Sequence, residues 1–207
     1  MSRMPRLFRD AYFTRAEWLV ELGLNHVALP PGRVWEPACG AGHLCRALAA
    51  RGRDVVASDI YDWGWPCQVQ DFFSYDVAPA GVTAILTNPP FRRGVALPFV
   101  RHALRLMAPV GGTVAMLLAH DWITARDRAD LFDRWGPFDR VIVPTARPLW
   151  FDPAAPVVDA APRKSKRPIK TYCWYVWSPA GVGRHGHVQV VPVGAAGIAT
   201  DAAWVAV

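Results

Sequence analysis

Thr87-Asn88-Pro89-Pro90-Phe91 follows the apolar run Ala84-Ile85-Leu86. Two consecutive prolines fix the backbone and remove two N–H donors, so carbonyls here can face a cleft instead of a neighbouring strand. Asn88 adds an amide oxygen and Phe91 a flat apolar face. Acceptors beside an aromatic surface suit a planar group that bears an NH2.

A second cluster lies upstream. Val34-Trp35-Glu36-Pro37-Ala38-Cys39-Gly40-Ala41-Gly42-His43-Leu44 reads as a strand, a glycine turn and a helix start. Gly40 and Gly42 let the backbone approach a ligand, at which the first helical amides then point. A dinucleotide fingerprint would need a third glycine where Cys45 stands. Glu36 just before the turn suits a cationic group better than pyrophosphate. Asp59 closes the next strand, 17 residues after Gly42, where a carboxylate can take both hydroxyls of a ribose. Ile60 and Tyr61 could flank an adenine ring. Asp71, followed by Phe72 and Phe73, sits where a third strand should end, placed to accept from an exocyclic amine with Phe72 stacking.

These residues need elements to hold them. Thr14-Arg15-Ala16-Glu17 looks like a capping box that opens a helix to about Leu24. Strands are expected over Gly32–Glu36, Asp54–Ser58, Val82–Thr87, Gly112–Ala119, Arg140–Val143 and Thr171–Trp177, with an edge strand around His187–Val191. Helices are expected over Ala41–Ala50 and Gly94–Met107, and from Thr124 to about Trp135. Strands alternating with helices predict a mostly parallel α/β sheet covered on both faces. One domain over 1–207 is expected, its core about 11–178, with 179–207 an edge strand or tail.

On these motifs the chain resembles the class I methyltransferases that use S-adenosylmethionine, specifically the amino-methylating type with an N-P-P-F/Y motif. Glu36 to Gly42 matches their E-P-x-x-G-x-G segment, and Asn88 to Phe91 the tetrad. The order of motifs resembles that of single-chain adenine-N6 DNA methyltransferases. The resemblance implies a Rossmann-like, mostly parallel seven-stranded sheet and S-adenosylmethionine as cofactor. It implies cofactor contacts at Tyr12, Thr14, Glu36, Pro37, Cys39, Gly40, Gly42, Asp59, Ile60, Asp71, Phe72 and Asn88. It implies that Asn88, Pro89, Pro90 and Phe91 handle the acceptor, the N6 amine of adenine at a DNA site.

The net charge of +6 and pI near 9.5 allow a polyanionic partner. Arg163, Lys164, Lys166, Arg167 and Lys170 fall in one window without an acid, and Arg92 and Arg93 directly follow the tetrad. Phosphate contact is the expectation for both groups. DNA is the first acceptor considered. An RNA base or a protein glutamine is the alternative, and a non-catalytic cofactor- or nucleic-acid-binding module is the competing class. No His/Cys spacing suggests a metal. Cys39, Cys45, Cys67 and Cys173 form no disulfide framework, and no apolar run is long enough to span a membrane. A cytoplasmic protein with no membrane partner is expected.

Overall fold

The computed structural model describes residues 17–90, 94–133, 136–145, 171–182, 186–191, 193–194 and 197–198. Helix α1 (Glu17–His26) leads to β1 (Arg33–Glu36), α2 (His43–Ala50), β2 (Val55–Asp59) and β3 (Gln68–Val69). Then come β4 (Val82–Thr87), α3 (Ala96–Met107), β5 (Thr113–Ala119), β6 (Phe138–Pro144), β7 (Tyr172–Trp177) and β8 (His187–Val191). β9 (Val193–Gly194) and β10 (Gly197–Ile198) form a separate antiparallel pair. The main sheet runs β3-β2-β1-β4-β5-β7-β6-β8. Among its described strands β7 alone opposes the common direction, pairing antiparallel with β5 and β6.

The strand pattern explains the two-sided core. Alternate residues of a strand face opposite ways. Trp35, Ile85, Met116 and Tyr175 share one face with Phe99, Val100 and Ala103 of α3. Val34, Ala84, Leu117 and Trp174 share the other with Leu19 and Leu22 of α1 and Leu44 and Leu48 of α2. A strand covered on both faces has no polar side, hence the unbroken run in β5. Pro98 is tolerated in α3 because it lies in the first turn, where its missing N–H has no helical partner. Helix α1 lies close on β7, since Gly23 has no Cβ to meet the Trp174 indole 2.6 Å away.

Two expectations change. The sheet has eight strands instead of seven: the expected edge segment His187–Val191 docks in parallel beside β6, and the two-residue β3, absent from the expected strands, adds the opposite edge. The helix expected from Thr124 is instead a pair of 3-10 segments, His120–Thr124 and Arg126–Phe132. Asp127, Asp130 and Asp133 recur every three residues, the 3-10 period, and aspartate is a weak interior helix former. Arg101 of α3 pairs with Asp130 at 2.8 Å, and Leu131 is buried in the core.

Candidate functional site

From β1 the chain steps to β2 on one side and returns as β4 on the other. The carboxyl ends of β1 and β4 therefore flank the switch point, where open α/β sheets hold ligands. Glu36 ends β1 and Thr87 ends β4. Glu36 is only 1% exposed. Its Oε1 accepts from the Thr87 hydroxyl at 2.5 Å and from the Ala38 amide at 3.1 Å. Burial pushes this carboxyl up to about 8; the Thr87 and Ala38 donors oppose the rise, Asp59 adds to it, and the Asn88 backbone N–H opposes it. One carboxylate thus spans both motif loops.

Asp59 does the same between β1 and β2. Its Oδ2 accepts from Gly40 N at 2.9 Å, and its Oδ1 from Tyr61 N at 3.0 Å and Trp63 Nε1 at 3.1 Å. Gly40 reaches this bond with φ 51°, the left-handed region that favours glycine. Burial raises the Asp59 carboxyl, and the donors from Gly40, Tyr61, Trp63 and Ile60 oppose the rise. The neighbouring Cys39 amide donates to Ser58 O at 3.0 Å, so the glycine turn is laced to β2. Ile60, the residue after Asp59, is 51% exposed, an apolar surface at the strand end. Asp71 is exposed and caps its own 3-10 turn, Oδ1 accepting from Phe73 N at 3.0 Å. Gln70 N donates to Asp59 O at 2.8 Å, which holds that turn beside β2.

Three expected contacts turn out otherwise. Phe72 does not offer its ring for stacking on a ligand: it is 3% exposed, lies 4.2 Å from Phe99 in a stacked pair and meets Trp35 edge-on. Its role is to anchor the turn that carries Asp71. The space over Gly42 is taken by protein, because a Cβ there would meet the Trp65 indole at 2.0 Å. Arg46 lies 4.9 Å from the centroid of that indole. Of the two glycines, only Gly40 is therefore left as a candidate for close approach to a ligand. Cys39 is buried, and its thiol interacts with those of Cys45 and Cys67, so its side chain belongs to the loop interior.

Asn88 is half-buried, Pro37 and Pro89 are buried and Pro90 is half-buried. Phe91, Arg92, Arg93, Tyr12, Thr14 and the basic window Arg163–Lys170 lie outside the described residues. The structure adds Thr87, Trp63 and Trp65 to the site's framework. Thr87 carried a signal, a hydroxyl closing the apolar run Ala84-Ile85-Leu86; no spacing pointed to its partner. Among the described residues no three His, Cys, Asp or Glu side chains are grouped to hold a metal, and no described helix is long and apolar enough to cross a membrane.

Strand order, the single reversed strand and loops clustered at the switch point define the class I methyltransferase fold. A proposed RNA methyltransferase from Pyrococcus horikoshii superposes with a TM-score of 0.56 at 14% identity, over 85% of this chain and 90% of that one. A predicted O-methyltransferase from Agrobacterium tumefaciens gives 0.51 at 13% identity, over 84% of each chain. A proposed hemolysin from Lactococcus lactis gives 0.50 at 11% identity, over 86% of this chain and 93% of that one. At such identities the likeness concerns the fold alone. No protein-family model matches the sequence, and no curated protein matches it.

Proposed function

We propose that this protein is an S-adenosylmethionine-dependent methyltransferase that modifies an exocyclic amine, adenine N6 in DNA. The observation that carries the reading is the Glu36 carboxylate, which accepts from Ala38 of the glycine loop and from Thr87 beside the Asn88-Pro89-Pro90 loop. Two loops far apart in sequence, one suited to a cationic cofactor and one to an NH2 group, are thereby joined at the switch point.

The residues fit the cofactor. Glu36 would hold the ammonium of its methionine part, Asp59 a ribose hydroxyl, Ile60 a face of the adenine and Asp71 its amine. When bound, the cofactor supplies an electrophilic methyl group on a sulfonium. Asn88 Oδ1 and the Pro89 carbonyl would accept the two hydrogens of the acceptor amine. That draws its lone pair out of conjugation with the ring and aims it at the methyl. Positioning and fixed dipoles then supply the rate. In a duplex the base must leave the stack, and Phe91 would receive it, a contact worth about 1–3 kcal/mol.

Calorimetry with S-adenosylmethionine, followed by nucleoside mass spectrometry of DNA and RNA treated with the protein, tests the reading. Asn88→Ala should lose turnover by about a hundredfold or more while keeping cofactor affinity. Methylation of RNA alone would overturn the DNA acceptor. Methylation at cytosine C5, which needs a thiol nucleophile, would overturn the amine chemistry.

The basic window is the proposed phosphate-binding segment. Replacing Lys164, Lys166 and Arg167 by alanine should lower the salt dependence of nucleic-acid binding by about 0.7–0.9 in log–log slope for each phosphate no longer neutralised. An unchanged slope would remove the window from the interface.

A further inference from the structure

We propose that Thr87 is a positioning residue for methyl transfer: its hydroxyl ties the loop after β4 to the loop after β1 and favours the anionic, cofactor-holding form of the Glu36 carboxylate. The inference rests on the methyltransferase reading above and goes beyond it in assigning a role to a residue outside both sequence motifs.

The argument is geometric. Thr87 is fully buried as the last residue of β4, its backbone registered beside Met116 of β5. Its hydroxyl is turned to the interior, onto the carboxylate that ends β1. That hydroxyl donates to Glu36, 51 positions away in sequence, across the junction between the two strands. The remaining donors to Glu36 are the amides of Ala38 and Asn88. The titratable groups facing Glu36 are both acidic, Asp59 from β2 and Cys39 from the glycine turn. An anion there is therefore supported by neutral donors against burial and like charge. A hydrogen bond to a charged acceptor is stronger than one to a neutral acceptor, so losing one of three donors shifts the balance towards the protonated acid. A protonated Glu36 would hold an ammonium poorly. Losing the tie would also leave the Asn88 loop joined to Glu36 through a single backbone N–H.

Thr87→Val is the sharp test, since valine keeps the β-branched shape and replaces the hydroxyl with a methyl group. The chain has three glutamates, Glu17, Glu21 and Glu36, so a carboxyl-carbon NMR titration assigned with Glu36→Gln reads the buried one directly. In Thr87→Val the Glu36 midpoint should rise by about one pH unit or more. Cofactor affinity at neutral pH should fall about tenfold and recover as the pH passes the shifted midpoint. Thr87→Ser should restore both. A Glu36 midpoint unmoved in Thr87→Val, or a serine variant that behaves like valine, would overturn the proposal. The titration needs no cofactor. A wild-type protein that binds no S-adenosylmethionine would sink the methyltransferase reading, whereas an unmoved midpoint would sink only the role of Thr87.

Discussion

At the carboxyl ends of β1 and β2 the protein buries two carboxylates, Glu36 and Asp59. On β7, three strands away from β1, the buried polar atoms belong to aromatic rings. Trp174 Nε1 donates to Leu19 O at 2.8 Å, Trp177 Nε1 to Leu131 O at 2.9 Å, and the Tyr175 hydroxyl to His120 O at 2.9 Å. Each of these is a neutral donor matched to a backbone carbonyl, the arrangement that lets a large ring be buried at little cost. The carboxylates are different. Their amide, hydroxyl and indole donors only partly offset burial, and both acids stay raised above their ordinary range. Perturbed buried carboxylates of this kind mark a candidate functional site. The contrast separates a scaffold half from a working half of one continuous sheet.

The largest effect tests the scaffold half. Trp174 fills the space between β7 and α1, fully buried, with Gly23 against its ring. Trp174→Ala should destabilise the fold by about 3–5 kcal/mol, since it opens a cavity and leaves the Leu19 carbonyl without its indole donor. Urea unfolding monitored by circular dichroism measures this. A loss under about 1 kcal/mol would mean that the site collapses freely, and β7 would not be the scaffold described here.

Most of this division was legible in the sequence, because strand identity follows from apolar runs and from punctuation by glycine and proline. The unbroken run of β5 and the glycine turn after Glu36 both stand as expected. What could not be read was which side of an element each special residue would face. Asp71-Phe72-Phe73 does not reveal that Phe72 enters the core while Phe73 stays 43% exposed. That depends on Trp35 and Phe99, which come from other elements. The hydrogen bonds of Glu36 and Asp59 across the loops are tertiary, and no local spacing encodes them. The Trp65 indole on Gly42 is a further case, since the turn chemistry of Gly42 predicts an open face and a loop 23 residues onward covers it.

A smaller effect tests the working half through pH. Below its ordinary range near 4.5 Glu36 is protonated in both folded and unfolded chains. As pH rises towards about 8 the unfolded chain releases this proton while the folded one keeps it. Rising pH therefore favours unfolding across that window, by at most about 1.4 kcal/mol per pH unit. Above it the effect levels off. Glu36→Gln removes the titration, so its stability should fall less steeply than wild type between pH 5 and 8, whatever constant offset the substitution brings. Equal slopes in the two proteins would mean that Glu36 is not held protonated, and the contrast between the halves would lose its main support.

The smallest effect compares one residue type across both halves. Cys39 and Cys45 sit in the glycine loop and α2, and Cys173 in β7; all three are buried. Cys67, in the loop that passes over the glycine turn, is only half-buried. Thiolate, not thiol, is what alkylates. Burial first, and then the Cys39 thiol, push Cys67 up to about 12, and burial pushes Cys173 up to about 12 as well. The two should therefore be equally poor in thiolate at neutral pH, leaving access as the difference. Under native conditions iodoacetamide should modify Cys67 slowly and the other three only after unfolding, as read by peptide mass spectrometry. Since Cys67 lies in the loop that covers the glycine turn, saturating S-adenosylmethionine should slow its modification and leave Cys173 unchanged. Equal labelling of Cys67 and Cys173 in the native protein would show that the loop over the working half is as closed as the scaffold strand, and the division drawn here would not extend to its surface.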